Sequence, residues 1–317
     1  MPDLIRNPRR PRKALRACVA LLALCLAWTL PGTAGAQPAA SHNYPVPYSF
    51  SAGIAAQLLH PGSDPVGAND FGCEPTSAHP YPVVLVHGTF GNMTDSWQGL
   101  SPLLANNGYC VFALNYGGSP GNLFQGYGDI PTSAAQLGAF VDRVLAATGA
   151  PKVDIVGHSQ GGMMPRYFIQ NLGGQDKVHE LVGLSPSNHG TDFWGLLGLL
   201  KAFPGGTDFL TSLCVACTQQ ATGSDFLTAL NANGDTVPGV HYTVIQTRYD
   251  EVVTPYTNAW MHGPGTTNVL LQNGCWTDFA DHLAVIYDRV ALREVLNALD
   301  PAHATHTCAL VLPVLGG

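Results

Sequence analysis

The chain is 317 residues long, 46% hydrophobic and only 11% charged, a balance that argues against extended disorder and leaves material for one sizeable core. Residues 1–36 read as a removable leader, and without them eight Lys and Arg stand against twenty Asp and Glu. That acidic surplus argues against nucleic acid as a partner and against electrostatic docking on anionic membranes, and it suits a neutral or apolar substrate.

The leader has three parts. Arg6, Arg9, Arg10, Arg12, Lys13 and Arg16 make a basic region, Ala17 to Leu30 an apolar one, and Ala34-Gly35-Ala36 a cleavage site that makes Gln37 the first mature residue. The apolar run is too short to span a bilayer and is followed by Pro31-Gly32, so a secreted protein without stable membrane insertion is expected. Cys18 and Cys25 leave with it, and Cys73, Cys110, Cys214, Cys217, Cys275 and Cys308 remain. An even number in an exported chain suggests disulfides, although six cysteines allow fifteen pairings. The preferred set is Cys73 with Cys110, Cys214 with Cys217 and Cys275 with Cys308, because each pair would tie a loop to a neighbouring element. Cys214-Val215-Ala216-Cys217 has the spacing of redox and zinc motifs but neither a thioredoxin-like context nor a second ligand pair. No cofactor or metal is expected, and the scattered Asp residues lack calcium-loop spacing.

Residues 37–80, rich in Pro, Ser, Ala, His and Asn, read as an N-terminal arm with one helix at Ser51 to Leu59; His42, His60 and His79 are read as loop or surface residues. Val83-Val84-Leu85-Val86 is a continuous apolar run bounded by Pro82 and Gly88, the pattern of a strand buried on both faces of a parallel sheet. Trp97, Leu100, Leu103 and Leu104 recur at helical spacing and Asn107-Gly108 closes that helix. Cys110 to Asn115 reads as a strand and Gly117 to Gly128 as a loop over the sheet edge. Ile130, Ala134, Leu137, Val141, Val144 and Leu145 mark a long amphipathic helix. Val153 to Val156 is the next strand and Val178 to Leu184 another. The alternation of strand and helix predicts a mostly parallel doubly wound sheet with helices on both faces, in a domain covering 81–317, and the serine turn at 157–161 within it leads to the expectation of an α/β-hydrolase fold. Residues 192–232 interrupt the alternation; the apolar Phe193 to Leu200 reads either as a buried helix or as a cap over the site. Tyr242 to Ile245 and Asn268 to Leu271 are the remaining strands, and Leu283, Val285, Ile286, Val290, Leu292 and Val295 belong to a final helix.

The chemistry centres on Gly157-His158-Ser159-Gln160-Gly161, which follows a strand and opens a helix. That context is a nucleophile elbow, with Gly157 and Gly161 required because the turn is too tight for larger residues. A serine hydroxyl needs a base and an orienting carboxylate, which occur in the order Ser, acid, His in this fold class. Of the seven histidines after Ser159, only His282 follows the last strand and precedes the terminal helix; His262 is the runner-up. Asp250 is preferred to Glu251 as the acid, with Glu251 expected to point outward. The His87-Gly88-Thr89 turn after the first strand supplies a second oxyanion donor, so the backbone N–H groups of Thr89 and Gln160 are assigned to the oxyanion hole, with Phe90 the near alternative. His87 is read as a buried structural residue and His189 as a loop hydrogen bonder.

Val83 to Asn92, Lys152 to Gly162, Arg248 to Pro255 and Asp281-His282 together resemble the secreted bacterial class 2 lipases, relatives of the small Bacillus lipases, over roughly 80–300. The resemblance implies a serine esterase or lipase acting on acylglycerols or related esters, with Ser159, Asp250 and His282 as the triad and Thr89 and Gln160 as oxyanion donors. Its partner is then a small-molecule or lipid ester, including one at a lipid–water interface. Polyester depolymerisation or acyl transfer uses the same residues, and a secreted binding module on an inactive scaffold is the reading from another class. The arm, the cysteines and the 192–232 insertion depart from the smallest members.

Overall fold

In the computed structural model, which describes residues 42–192 and 212–317, the buried apolar runs become a six-stranded sheet in which every neighbouring pair is parallel. The leader and the expected cap residues 193–211 lie outside the described residues. In chain order the elements are α1 (Phe50–Leu59), β1 (Val83–Val86), α2 (Met93–Ser96), α3 (Leu100–Asn106), β2 (Val111–Leu114), α4 (Ile130–Thr148), β3 (Val153–His158), α5 (Gln160–Asn171), β4 (Val178–Leu184), α6 (Val215–Gln219), α7 (Asp225–Asn231), β5 (His241–Gln246), β6 (Thr266–Leu270), α8 (Leu271–Gly274) and α9 (Arg289–Leu299).

The strands lie in the order β2-β1-β3-β4-β5-β6. The chain moves outward from β1 to β2, returns past β1 to β3 and continues in the other direction. The reversal therefore falls between β1 and β3, the place where open α/β sheets hold ligands at the carboxyl ends of their strands. Val86 stands opposite Gly157 in register, so the loops leaving β1 and β3 emerge side by side.

All four side chains of β1 are fully buried because alternate ones enter two different cores. Val84 and Val86 join Phe112, Ile155, the inner faces of α4 and α5, and Leu227 and Leu230 of α7. Val83 and Leu85 join Trp97, Leu100, Val182, Ile245 and Val290, Leu292 and Val295 of α9. Each such aliphatic side chain contributes about 1.5–3 kcal/mol on leaving water, and this two-sided burial erases the alternation that a half-exposed strand would show. Residues 42–80 lie against the same body: Asn106 exchanges hydrogen bonds with the backbone of Tyr44, and Asn69 bonds the backbone of Ala113 in both directions.

Three expectations change at element boundaries. The helix expected from Trp97 begins only at Leu100, as α3, and a separate short helix, α2, precedes it. Asn92 and Asp95 form a capping box that starts α2 at Met93, and the buried Trp97 lies between α2 and α3 in a non-helical conformation. The last strand ends at Leu270 and Leu271 opens α8. The final helix is also interrupted: Ala284–Tyr287 is a 3₁₀ turn, Asp288 is extended, and its carboxylate accepts the Val290 N–H at 2.7 Å to start α9.

Cys73–Cys110, Cys214–Cys217 and Cys275–Cys308 are disulfides, with sequence separations of 37, 3 and 33. Loop-closure entropy makes the long loops worth about 3–4 kcal/mol each and the three-residue loop under about 2 kcal/mol. Urea unfolding of paired Cys→Ser variants is expected to give a clearly larger stability loss for Cys73/Cys110 and Cys275/Cys308 than for Cys214/Cys217, and a reversed ranking would refute the entropic account.

Candidate active site

Ser159 sits between the end of β3 and the start of α5 with φ 55° and ψ −123°, a backbone state that costs a non-glycine residue of order 1–3 kcal/mol. The surroundings hold it there. The Ser159 N–H donates to the Leu184 carbonyl at 2.9 Å, and the Ser159 carbonyl accepts the Gly162 N–H at 2.9 Å. A Cβ on Gly157 would lie 1.8 Å from the Gly161 carbonyl oxygen, and one on Gly161 would lie 2.1 Å from that of Val86. Glycine at both positions is thus a steric requirement that seats α5 directly on the ends of β1 and β3.

Asp250 lies in the turn after β5 and is almost fully buried. Its Oδ1 accepts the N–H groups of Val252 and Val253 at 2.9 and 2.7 Å, while Oδ2 accepts the Gln246 side-chain amide at 3.1 Å and His282 Nδ1–H at 3.0 Å. Burial alone would raise this carboxyl, yet His282 and the two amides outweigh burial and hold its pKa below the ordinary carboxylate value. For His282 burial acts downward, but Asp250 first, then Glu251 and Asp281, leave the ring above its usual 6.5. With Nδ1 committed to Asp250, Nε2 is the ring nitrogen left for proton transfer. Ser159 and His282 open on the same cavity of about 210 Å³, together with Thr89, Phe90, Gln220, Val253 and Leu283.

His158, within the elbow motif, had no role assigned from sequence. Its ring packs 4.7 Å from that of His282, and its Nε2 donates to the His282 carbonyl at 2.8 Å. Burial first, then the His282 ring, lowers it to about 3, so it stays neutral and adds no charge against His282. Glu251 departs from expectation. It is half-buried, and its Oε2 accepts the His282 N–H at 3.1 Å because the loop carrying His282 folds over the β5 turn and brings an otherwise unpaired amide there.

Thr89 and Gln160, distant in sequence, meet: the Thr89 hydroxyl donates to Gln160 Oε1 at 2.9 Å. Phe90 donates its N–H to the Gln125 carbonyl at 2.8 Å. His87 is fully buried and stacks on Tyr116 at 4.3 Å, and burial lowers it to about 4. His189 bonds Asp235 at 3.2 Å, and His262 donates its backbone N–H to Asp235 as well, so both belong to the network around Arg166. Gln220, Ser187 and Gln246 also went unassigned. Each is a buried polar side chain whose partners lie on other elements, and no local motif marks it.

The apolar Phe90, Leu123, Phe124 and Leu283 are between 39% and 58% exposed. Phe90 and Leu283 stand at the cavity, and the Leu123–Phe124 stretch is held beside Phe90 by Asn92 bonding the Leu123 carbonyl. A wider cavity of about 380 Å³ lies at the amino ends of β4 and β5, lined in part by His179, Glu180 and His241, away from Ser159. Among the described residues no group of three or more His, Cys, Asp or Glu is arranged to hold a metal ion, and no helix is long and apolar enough to cross a membrane.

Aspergillus fumigatus lipase B superposes with a TM-score of 0.59 at 20% identity, over 77% of this chain and 56% of that one, a likeness of fold. Two triacylglycerol lipases, from Pseudarthrobacter phenanthrenivorans and Burkholderia plantarii, are each 29% identical over 243 residues. The match takes in 74% of this chain in both cases, but only 72% and 64% of the relatives' own lengths. The family described as Lipase (class 2) matches residues 80–293, the span that runs from the entry to β1 into α9 and contains Ser159, Asp250 and His282; the chain belongs to that family of α/β-hydrolases.

Proposed function

We propose that the protein is a secreted serine carboxylic-ester hydrolase that acts on acylglycerols or related neutral esters through an acyl-serine intermediate. The observation that carries the reading is the chain of contacts at the base: Asp250, saturated by four donors, fixes His282 by Nδ1 while Ser159 faces the same cavity from a strained turn.

His282 Nε2 takes the proton from the Ser159 hydroxyl as its oxygen attacks the ester carbonyl. Negative charge then develops on the former carbonyl oxygen. The Phe90 N–H is committed to Gln125, which leaves Thr89 to act with Gln160 as the backbone donors for that oxygen. Protonated His282 is stabilised by Asp250 and passes its proton to the departing alcohol. In the second half His282 deprotonates water, which attacks the acyl-serine, and then returns that proton to the departing Ser159 Oγ as the acid is released. The raised pKa of His282 favours the first proton transfer and sets the lowest pH at which the base is free.

Support for a neutral, greasy ester comes from the acidic composition, from the exposed Phe90, Leu123, Phe124 and Leu283 beside the cavity, and from the relatives named triacylglycerol lipase. A lipid–water interface is a natural place for such a rim. Export is supported by the basic, apolar and A-x-A sequence of residues 1–36 and by three disulfides.

Assays with nitrophenyl esters test this. Ser159→Ala and Asp250→Asn are each expected to lower kcat by about 10⁴-fold or more, and the double variant by no more than Ser159→Ala alone, since the groups act as a unit. Turnover that survives Ser159→Ala refutes the reading. The acid limb of kcat/KM is expected to have its midpoint above 6.5, because the base must be neutral and its pKa is raised. In Asp250→Asn the midpoint should fall to lower pH, as the carboxylate that favours the imidazolium is gone. A wild-type midpoint below 6.5 would mean that another group is titrating.

A further inference from the structure

Gln220 caps the carboxyl end of α6 and is 3% exposed, yet nothing in the acyl-transfer scheme uses it. Its amide nitrogen lies 2.9 Å from Thr89 Oγ1 and 2.9 Å from Gln160 Oε1, and the Thr89 hydroxyl in turn donates to Gln160 Oε1 at 2.9 Å. Those three atoms form a closed triangle drawn from the loop after β1, the first turn of α5 and the end of α6. The amide nitrogen of Gln220 also donates to the Ala216 carbonyl at 3.2 Å, an acceptor only, which fixes the way round the amide sits and leaves its oxygen to accept the Ser187 hydroxyl at 2.8 Å.

The platform beneath Gln220 is held on several sides. Cys214–Cys217 closes the first turn of α6, the Ala216 N–H donates to the Tyr127 carbonyl at 3.1 Å, and Gln219 bonds both Asp129 and the Ile130 N–H at 2.8 Å. The Gln220 carbonyl accepts the Thr191 N–H at 3.0 Å. Gln220 is therefore a fixed post, whereas Thr89 sits on a loop only half-buried and next to Phe90 at φ 63°.

We propose that Gln220, oriented by the Ala216 carbonyl and held by Ser187, is a positioning residue for the oxyanion hole: by tying the side chains of Thr89 and Gln160 together it holds their backbone N–H groups convergent on one point. The inference rests on the reading of Thr89 and Gln160 as the oxyanion donors. A displacement of about 1 Å in a positioned group can cost about 100-fold in rate, and donors aimed at the developing charge act on the transition state more than on bound substrate. Loss of Gln220 should therefore lower kcat and leave KM nearly unchanged, whereas a residue that only satisfied buried polar groups would lower stability without that split.

The test compares Gln220→Ala, Ser187→Ala and their double variant with the unmodified protein on a short-chain nitrophenyl ester. Alongside, each is titrated with a trifluoromethyl ketone, which adds to the serine and places an oxyanion in the hole. For Gln220→Ala the expected result is a fall in kcat of about 10- to 100-fold, KM within about twofold, and a loss of ketone affinity parallel to the loss of kcat/KM. Ser187→Ala should produce a smaller fall of the same kind, and the double variant no more than Gln220→Ala, because both act through one amide. If Gln220→Ala does not fold, Ser187→Ala decides by itself. A kcat within about twofold of the unmodified protein in the folded variants, a change in KM alone, or additive losses in the double variant overturns the proposal. Ser159→Ala separates the two levels: serine-dependent turnover with a silent Gln220 refutes only the positioning role, while turnover that does not depend on Ser159 refutes the hydrolase reading and the positioning role with it.

Discussion

Two backbone carbonyls, those of Val86 and Gly161, occupy the space where side chains of residues 161 and 157 would have to lie. That steric constraint governs the rest. With glycine at both positions, the first turn of α5 can descend onto the ends of β1 and β3, and Ser159 is forced into a positive-φ conformation at the point where the winding of the sheet reverses. Larger residues there would push α5 outward and separate the Ser159 turn from the Thr89 loop. The close approach thus produces both the positive-φ turn at Ser159 and the nearness of the second loop, two properties that could otherwise require separate explanations.

Around that point the charges are arranged by burial. Asp250 keeps its negative charge in a nearly closed environment because four donors meet it, and His282 keeps affinity for a proton because that charge is beside it. His158 and His87, buried as deeply, lack a carboxylate partner and are driven to the neutral state. Buried histidines within one region are thus shifted in opposite directions, and what separates them is the partner each side chain meets.

Much of this was legible in the sequence, for physical reasons that differ by residue. Val83–Val86 and Val153–Val156 read as buried strands because a parallel sheet covered on both faces removes polar alternation. The elbow was legible because its glycine requirement is local, and the chosen cysteine pairs are the ones bonded in the structure. Other features depend on what approaches from afar. The short helix α2 ahead of Trp97 rests on a capping box that was not read from the sequence, and the break at Asp288 comes from a carboxylate whose capping role shows only in the backbone around it. Glu251 turns inward because the His282 loop brings an amide to it, and Gln220 is indistinguishable from a solvated helix residue until Thr89, Gln160 and Ser187 stand round it.

The strand order has one more consequence. Thr89 follows β1, Ser159 follows β3, Asp250 follows β5 and His282 lies beyond β6, while β1 and β3 are central neighbours that meet only after β2 and α4 have been threaded between them in the chain. No contiguous half of the polypeptide contains the whole constellation. Each member is delivered by a separate parallel crossover, so a partly assembled sheet holds Ser159 without His282 or His282 without Asp250. On the proposed function, ester turnover is consequently an all-or-none gauge of completed assembly, silent in any fragment or intermediate in which a single crossover is missing.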